Sequence, residues 1–104
     1  MSISICKLQI EDMPQYLEVL RNLTEVKTDL NTAKLIYERE IAGNPLHLIF
    51  IAYADDLNYE RKVIASCTLL VEPKMIGNAD RVGHIEDVAV LREFQGRGIG
   101  MRIV

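Results

Sequence analysis

The chain is 104 residues long, 49% apolar and 26% charged, the balance of one ordinary folded domain over 1–104 rather than a disordered segment. Twelve basic against fifteen acidic residues leave a net charge of −3, which supplies no field for nucleic acid or an anionic membrane surface. The longest apolar stretch, Leu46 to Ala54, is interrupted by His47 and is too short to cross a bilayer.

In chain order, Ser2 to Gln9 alternates Ile3, Ile5 and Leu8 against polar neighbours and predicts a half-buried strand. Glu11 or Asp12 then caps a helix whose apolar stripe runs Met13, Tyr16, Leu17, Leu20 and Leu23. After a polar connection from Thr24 to Leu30, Asn31 is the expected cap of a second helix. Its inward face is Ala33, Ile36, Tyr37 and Ile41, and Gly43-Asn44-Pro45 stops it. Leu46 to Tyr53 predicts a strand buried on both faces, with His47 as a satisfied core histidine. A polar turn from Asp55 to Glu60 leads to a third strand, Lys62 to Val71. Pro73 to Gly83 is a connection with turn residues Gly77 and Asn78. His84 to Leu91 is a fourth strand, expected to be central, with Ile85, Ala89 and Leu91 on one face and Val88 and Val90 on the other.

The amino-terminus lacks a signal-peptide layout, so the expected compartment is the cytoplasm. Cys6 and Cys67, in apolar strand-like segments, read as reduced packing residues rather than a bridge. No Cys/His cluster has zinc spacing, and no metal is expected.

The run Gln95-Gly96-Arg97-Gly98-Ile99-Gly100 follows the apolar Val88-Ala89-Val90 directly. Alternating glycines permit positive φ and remove the Cβ atoms that hold a phosphate away from backbone N–H groups. A helix starting at about Gly98 adds its positive dipole end, and Arg97 adds a cation at the rim. The segment reads as strand, anion cradle, helix. A P-loop is excluded because no Lys-Ser/Thr follows Gly100, and a dinucleotide fingerprint because Met101 stands where its last glycine belongs.

Gln95, Gly98 and Gly100 fit Gln-x-x-Gly-x-Gly, which resembles the acetyl-CoA signature of the GNAT superfamily of N-acetyltransferases. Gly83-His84-Ile85-Glu86-Asp87-Val88-Ala89-Val90 looks like the fourth strand of the glucosamine 6-phosphate N-acetyltransferases within it. Leu23-Thr24 and Val71-Glu72-Pro73-Lys74-Met75-Ile76 sit at similar spacing to that family's acceptor-binding segments. The resemblance implies an α/β fold with a mixed sheet. It implies that backbone groups of Val88, Ala89 and Val90 pair with the pantetheine arm and polarise the acetyl carbonyl. Gln95, Gly96, Arg97, Gly98, Ile99, Gly100 and Met101 would wrap the pyrophosphate of coenzyme A. Glu86 and Asp87 become the candidate catalytic pair, and Thr24, Lys74, Met75, Ile76, Gly77, Glu86, Asp87 and Val88 the acceptor site.

Each of these positions also has a plainer reading. Glu86 and Asp87 can be strand-end carboxylates in solvent or salt bridges. As neighbours in a strand they point to opposite faces unless a bulge turns one of them. Thr24 can satisfy local backbone, and Lys74 can be a solvated loop lysine. Gly77 stands where the family usually has a histidine. His84 reads as steadying the strand entry.

The implied reaction is acetyl transfer from acetyl-CoA to the amine of D-glucosamine 6-phosphate by direct attack in a ternary complex, feeding UDP-N-acetylglucosamine synthesis, with a homodimer as the implied assembly. The alternatives are a non-catalytic CoA-binding remnant and an acetyltransferase acting on a different amine. Superfamily domains continue beyond the helix that here ends at Val104, so the expectation is a domain incomplete at its carboxyl end, its fourth strand left with an open edge.

Overall fold

A computed structural model describes residues 2–56, 59–77 and 80–104. The alternating amino-terminal segment forms strand β1, Ser2–Lys7, and Leu8 continues its pairing by donating to the Ile49 carbonyl at 2.9 Å. A 3₁₀ turn, Ile10–Asp12, enters helix α1, Met13–Leu20. The buried Asp12 carboxylate accepts from the Gln9 N–H behind it at 3.0 Å and meets Arg61 at 3.3 Å, so it braces the entry turn rather than the helix proper. Helix α1 stops one turn earlier than its stripe suggests, and Leu23 is 49% exposed. Asn22 explains the stop: its amide donates to the Glu18 carbonyl and accepts from the Arg92 N–H, each at 3.0 Å.

Helix α2, Leu30–Ile36, is capped by Asp29 rather than Asn31, because the Asp29 carboxylate accepts from both the N–H and the hydroxyl of Thr32. It continues as a wide π turn, Tyr37–Ile41. The wider turn rotates the apolar stripe, leaving Ile36 exposed while the Tyr37 hydroxyl donates to the Leu8 carbonyl at 2.7 Å. Strands β2 (His47–Asp56), β3 (Tyr59–Pro73) and β4 (Arg81–Val90) follow. The polar turn expected between β2 and β3 contracts, since both strands run on into it; its residues 57–58 lie outside the described ones, as does Asn78. His47 opens β2 half-buried instead of sitting in the core. Residues 92–94 form a 3₁₀ turn, and helix α3 is Ile99–Ile103.

The sheet order is β1-β2-β3-β4, with all three ladders antiparallel. One face packs on α1 and α2 through Val19, Ile51, Val63 and Ala89; the other packs on α3 through Ala52, Ile64, Phe94 and Ile99. Both thiols are free. Strand β4 is the last in the order, not a central strand as expected. Arg81 to Asp87 are exposed, and only Val88, Ala89 and Val90 at its carboxyl end are enclosed.

Candidate active site

The register between β3 and β4 breaks where the chemistry was expected. Ser66 pairs with Ala89 and Thr68 with Glu86, so β4 carries one residue more than β3 over that interval: a β-bulge at Asp87 and Val88. Asp87 takes φ 51°, the left-handed region that Asp tolerates better than most residues and that still costs about 1–2 kcal/mol locally. The bulge flips the strand's sidedness. Glu86, opposite Thr68, shares the α1 face with Ala89, opposite Ser66. Ile85, opposite Leu69, therefore falls on the other face from Ala89, correcting the single apolar face read from alternation. Val88 and Val90 do share a face, the one packed toward α3.

Beyond β4 the chain turns sharply. The Gln95 side chain donates from Nε2 to the Val90 carbonyl at 3.0 Å, closing the loop against the strand end. Gly96 and Gly98 adopt φ 81° and 73°, and a Cβ placed on either would meet nothing within 4 Å. Gly98 is the left-handed cap of α3. Among the described residues, no acceptor in the chain is found for the N–H groups of Gly96, Gly98, Ile99 and Gly100, while that of Arg97 closes the turn at Gln95 and Gly96. Four amides without partners, around space left open by two glycines, match the needs of a diphosphate. Ile99 contributes only its amide, because its side chain is 2% exposed in the core. Gly100 has no positive φ, and a Cβ there would make ordinary contacts with Val90 and Val88 at 3.8 and 3.9 Å. Arg97 rests its guanidinium 5.2 Å from the Phe94 ring centre, and Met101 is 88% exposed.

The acceptor residues divide into two groups. Asn22 ties the end of α1 to Arg92, which brings the exposed Thr24 to the carboxyl end of β4. Lys74, Met75, Ile76 and Gly77 lie instead at the tip of the β3–β4 hairpin, closed by the Lys74 N–H donating to the Asp80 carbonyl at 2.7 Å. The Lys74 side chain folds back from the tip, since the Glu72 carboxylate that holds its ammonium also holds His84, two residues before Glu86 on the same sheet face. Glu72 ties that tip together: its carboxylate meets Lys74 Nζ at 3.0 Å and His84 Nε2 at 2.9 Å. The hydrogen bond from Lys74, with that from His84, holds its carboxyl below the ordinary range. Met75 and Ile76 are almost fully exposed beside them.

One participant was read only as core. Tyr16 on α1 is 8% exposed and packs on the sheet face that carries Ala89. Burial pushes the phenol up to about 12, the Thr68 hydrogen bond opposes that rise, and the charge of Asp87 adds to it. An apolar helical stripe carries no signal for this role beyond the polar tip of a tyrosine. Two clefts, one around Tyr37, Asn44 and His47 and one around Leu17, Ala33 and Ile36, lie away from the glycine loop, and a more voluminous one is lined by Gln15, Asn22, Leu91 and Glu93 just past the end of β4. A cradle of backbone amides at a sheet end is an open surface.

The acetyltransferase (GNAT) family model matches residues 7–104, nearly the whole chain. The chain belongs to that family. Glucosamine 6-phosphate N-acetyltransferase 1 of Dictyostelium discoideum is 33% identical over 103 residues, covering 98% of this chain and 64% of the relative. The chain thus spans slightly less than two thirds of that GNAT enzyme's length. The crystal structure of glucosamine-6-phosphate N-acetyltransferase from Arabidopsis thaliana superimposes with a TM-score of 0.85 at 26% identity, over 99% of this chain and 69% of that one. An aminoglycoside antibiotic 6'-N-acetyltransferase from Acinetobacter baumannii shares the GNAT fold, with a TM-score of 0.74 at 18% identity, over 98% of this chain and 66% of that one.

Proposed function

We propose that this chain carries the acetyl-CoA-binding part of a glucosamine 6-phosphate N-acetyltransferase, active on the sugar amine by direct attack in a ternary complex. The observation that carries the reading is the set of four unpartnered amides, those of Gly96, Gly98, Ile99 and Gly100, directly behind the bulged end of β4. Acetyl-CoA, when bound, supplies the activated acyl group. The glycine amides hold its diphosphate, with Arg97 free to leave the Phe94 ring for a phosphate oxygen. The edge of β4 at Val88, Ala89 and Val90 offers main-chain groups to an extended pantetheine arm. An N–H at that edge polarises the thioester carbonyl. Glu86 and Asp87, exposed at the bulge, receive the acceptor ammonium and take its proton, and Thr24 contributes a hydroxyl.

The sugar phosphate falls to Lys74, and the resemblance to the glucosamine 6-phosphate N-acetyltransferases implies a homodimer. Two free thiols suit the reducing cytoplasm. A second reading, acetylation of another amine, has one observation in its favour: Gly77, at φ 64°, stands where the sugar-phosphate enzymes usually carry a histidine.

Calorimetry with CoA tests the cradle, and thiol release with glucosamine 6-phosphate, a polyamine and a peptide amine tests the acceptor. Wild type should release heat with CoA, and Gly98→Val should not, while both unfold cooperatively. Equal CoA affinity in the two proteins overturns the cradle. Thiol release with a polyamine or peptide and none with the sugar phosphate moves the assignment to the second reading.

A further inference from the structure

We propose that Asn22 is a positioning residue that couples the two sides of the site. Its side chain holds the turn carrying Thr24 against the segment that leads into the glycine loop, so that a filled cofactor cradle fixes the acceptor side. The proposal rests on the acetyl-CoA reading given above.

Helix α1 turns one polar stripe, Gln15, Glu18 and Asn22, toward Leu91 and Glu93 across a cleft of about 400 Å³. The three side chains are engaged differently. Gln15 turns to β3, accepting from the Val63 N–H at 2.8 Å and donating to the Arg61 carbonyl at 3.3 Å. Glu18 pairs with Arg21 on its own helix. Asn22 crosses the cleft: its Oδ1 accepts from the Arg92 N–H and its Nδ2 donates to the Glu18 carbonyl, each at 3.0 Å. The donor half of the amide closes α1, and the acceptor half grips the opposite bank. The open cleft leaves the separation of the two banks at this level to that bond.

What lies on either side gives the bond its consequence. Toward the acceptor, Leu23 and Thr24 both return their N–H groups to the Leu20 carbonyl, at 2.9 and 3.1 Å, so they move with the end of α1. Glu25 to Asp29 have no regular structure, which makes Asn22 the anchor of this loop on the cofactor side. Toward the cofactor, the Arg92 carbonyl accepts from the Gln95 N–H at 3.2 Å, and the Gln95 side chain reaches Val90. The Asn22 amide thus stands two hydrogen bonds from the first residue of the glycine loop. A diphosphate seated on that loop restrains Gln95 and Arg92, and Asn22 passes the restraint to Thr24.

CoA titration of the nitrogen-15-labelled 104-residue chain tests this, with wild type, Asn22→Leu and Asn22→Asp compared. In wild type the amide resonances of Gly96 and Gly98 and those of Leu23 and Thr24 should shift together, with one dissociation constant. Asn22→Leu should keep the response of the glycines and lose that of Leu23 and Thr24. Asn22→Asp still accepts from Arg92, gives up the donor to Glu18 and puts a negative charge at the end of α1. It should unfold at a lower urea concentration yet keep the response at Leu23 and Thr24, which separates the tether from the helix cap. Glycine shifts in wild type without any at Leu23 and Thr24 overturn the proposal. So does an undiminished response in Asn22→Leu, or its loss in Asn22→Asp. Wild-type glycines that do not respond to CoA overturn the acetyl-CoA reading itself, and the coupling with it.

In thiol release with glucosamine 6-phosphate, Asn22→Leu should raise KM for the sugar phosphate about fivefold, the low end of ordinary coupling between sites, with KM for acetyl-CoA unchanged. A rise in KM for acetyl-CoA alone overturns the positioning role. If wild type responds to CoA but does not acetylate glucosamine 6-phosphate, the substrate assignment fails, and the titration still decides Asn22.

Discussion

The Gln95 side chain donates to the Val90 carbonyl, so the first residue of the glycine loop is fastened to the last residue of β4. Two structures that must act together, a strand edge and an amide cradle, share one hydrogen bond. Gln95→Leu keeps the side chain's bulk and removes the donor. The exposed bond contributes about 1 kcal/mol or less to folding, so urea unfolding should shift little. CoA affinity, measured by calorimetry, should fall about tenfold because the cradle loses its fixed angle to β4.

Asp87 separates conformational from chemical demand. Its φ of 51° suits glycine and penalises a branched side chain. Asp87→Gly should unfold at a higher urea concentration than Asp87→Val, by about 1–2 kcal/mol. Thiol release should be lost in both if the carboxylate serves the amine. Equal stability of the two variants would show that the bulge relaxes without it.

Much of this was legible from the letters. Gln95 to Gly100 announced a turn that needs positive φ and a helix beginning at its end, and Gly98 caps α3 as expected. The bulge was not legible, because its cause lies in pairing with Ser66 and Thr68, far away in sequence, and Asp87 itself carries no mark of φ. Asp29 and Asn31 are both good caps, and only the Thr32 contacts decide between them.

Ser66 Oγ is buried without a partner under α1. Removing an unsatisfied hydroxyl recovers its desolvation penalty at the cost of a small void. Ser66→Ala should therefore raise stability by about 1 kcal/mol, read as a later urea midpoint at unchanged slope. A destabilised variant would reveal a partner for the hydroxyl.

Acid stability should follow the caps. The Asp29 carboxyl is held below its ordinary value first by the Thr32 backbone N–H and then by the Thr32 hydroxyl. A depressed folded value means its contribution is present above the unfolded value of 3.8 and is lost as pH falls through the folded one. Far-ultraviolet circular dichroism below that pH should show α2 loosening. Asp29→Asn, which still accepts hydrogen bonds, should flatten this acid limb, and the idea fails if the limb is unchanged.

Subunit mixing bears on the geometry of the acceptor site most directly. Lys74 stands at the hairpin tip with its ammonium folded back onto Glu72, so a lysine that binds the acceptor's phosphate can serve its own chain's bulge or that of another copy. Lys74→Met and Glu86→Gln should each lose thiol release with glucosamine 6-phosphate when alone. In an equimolar mixture that exchanges subunits, half the dimers are hybrids. Each hybrid joins an intact Lys74 to an intact Glu86 at one of its two sites, restoring about a quarter of wild-type activity in a two-fold dimer. Lys74 acting within its own chain predicts no recovery, since both sites of a hybrid then carry one defect. No recovery, together with a monomeric mass in solution, would contradict the dimer.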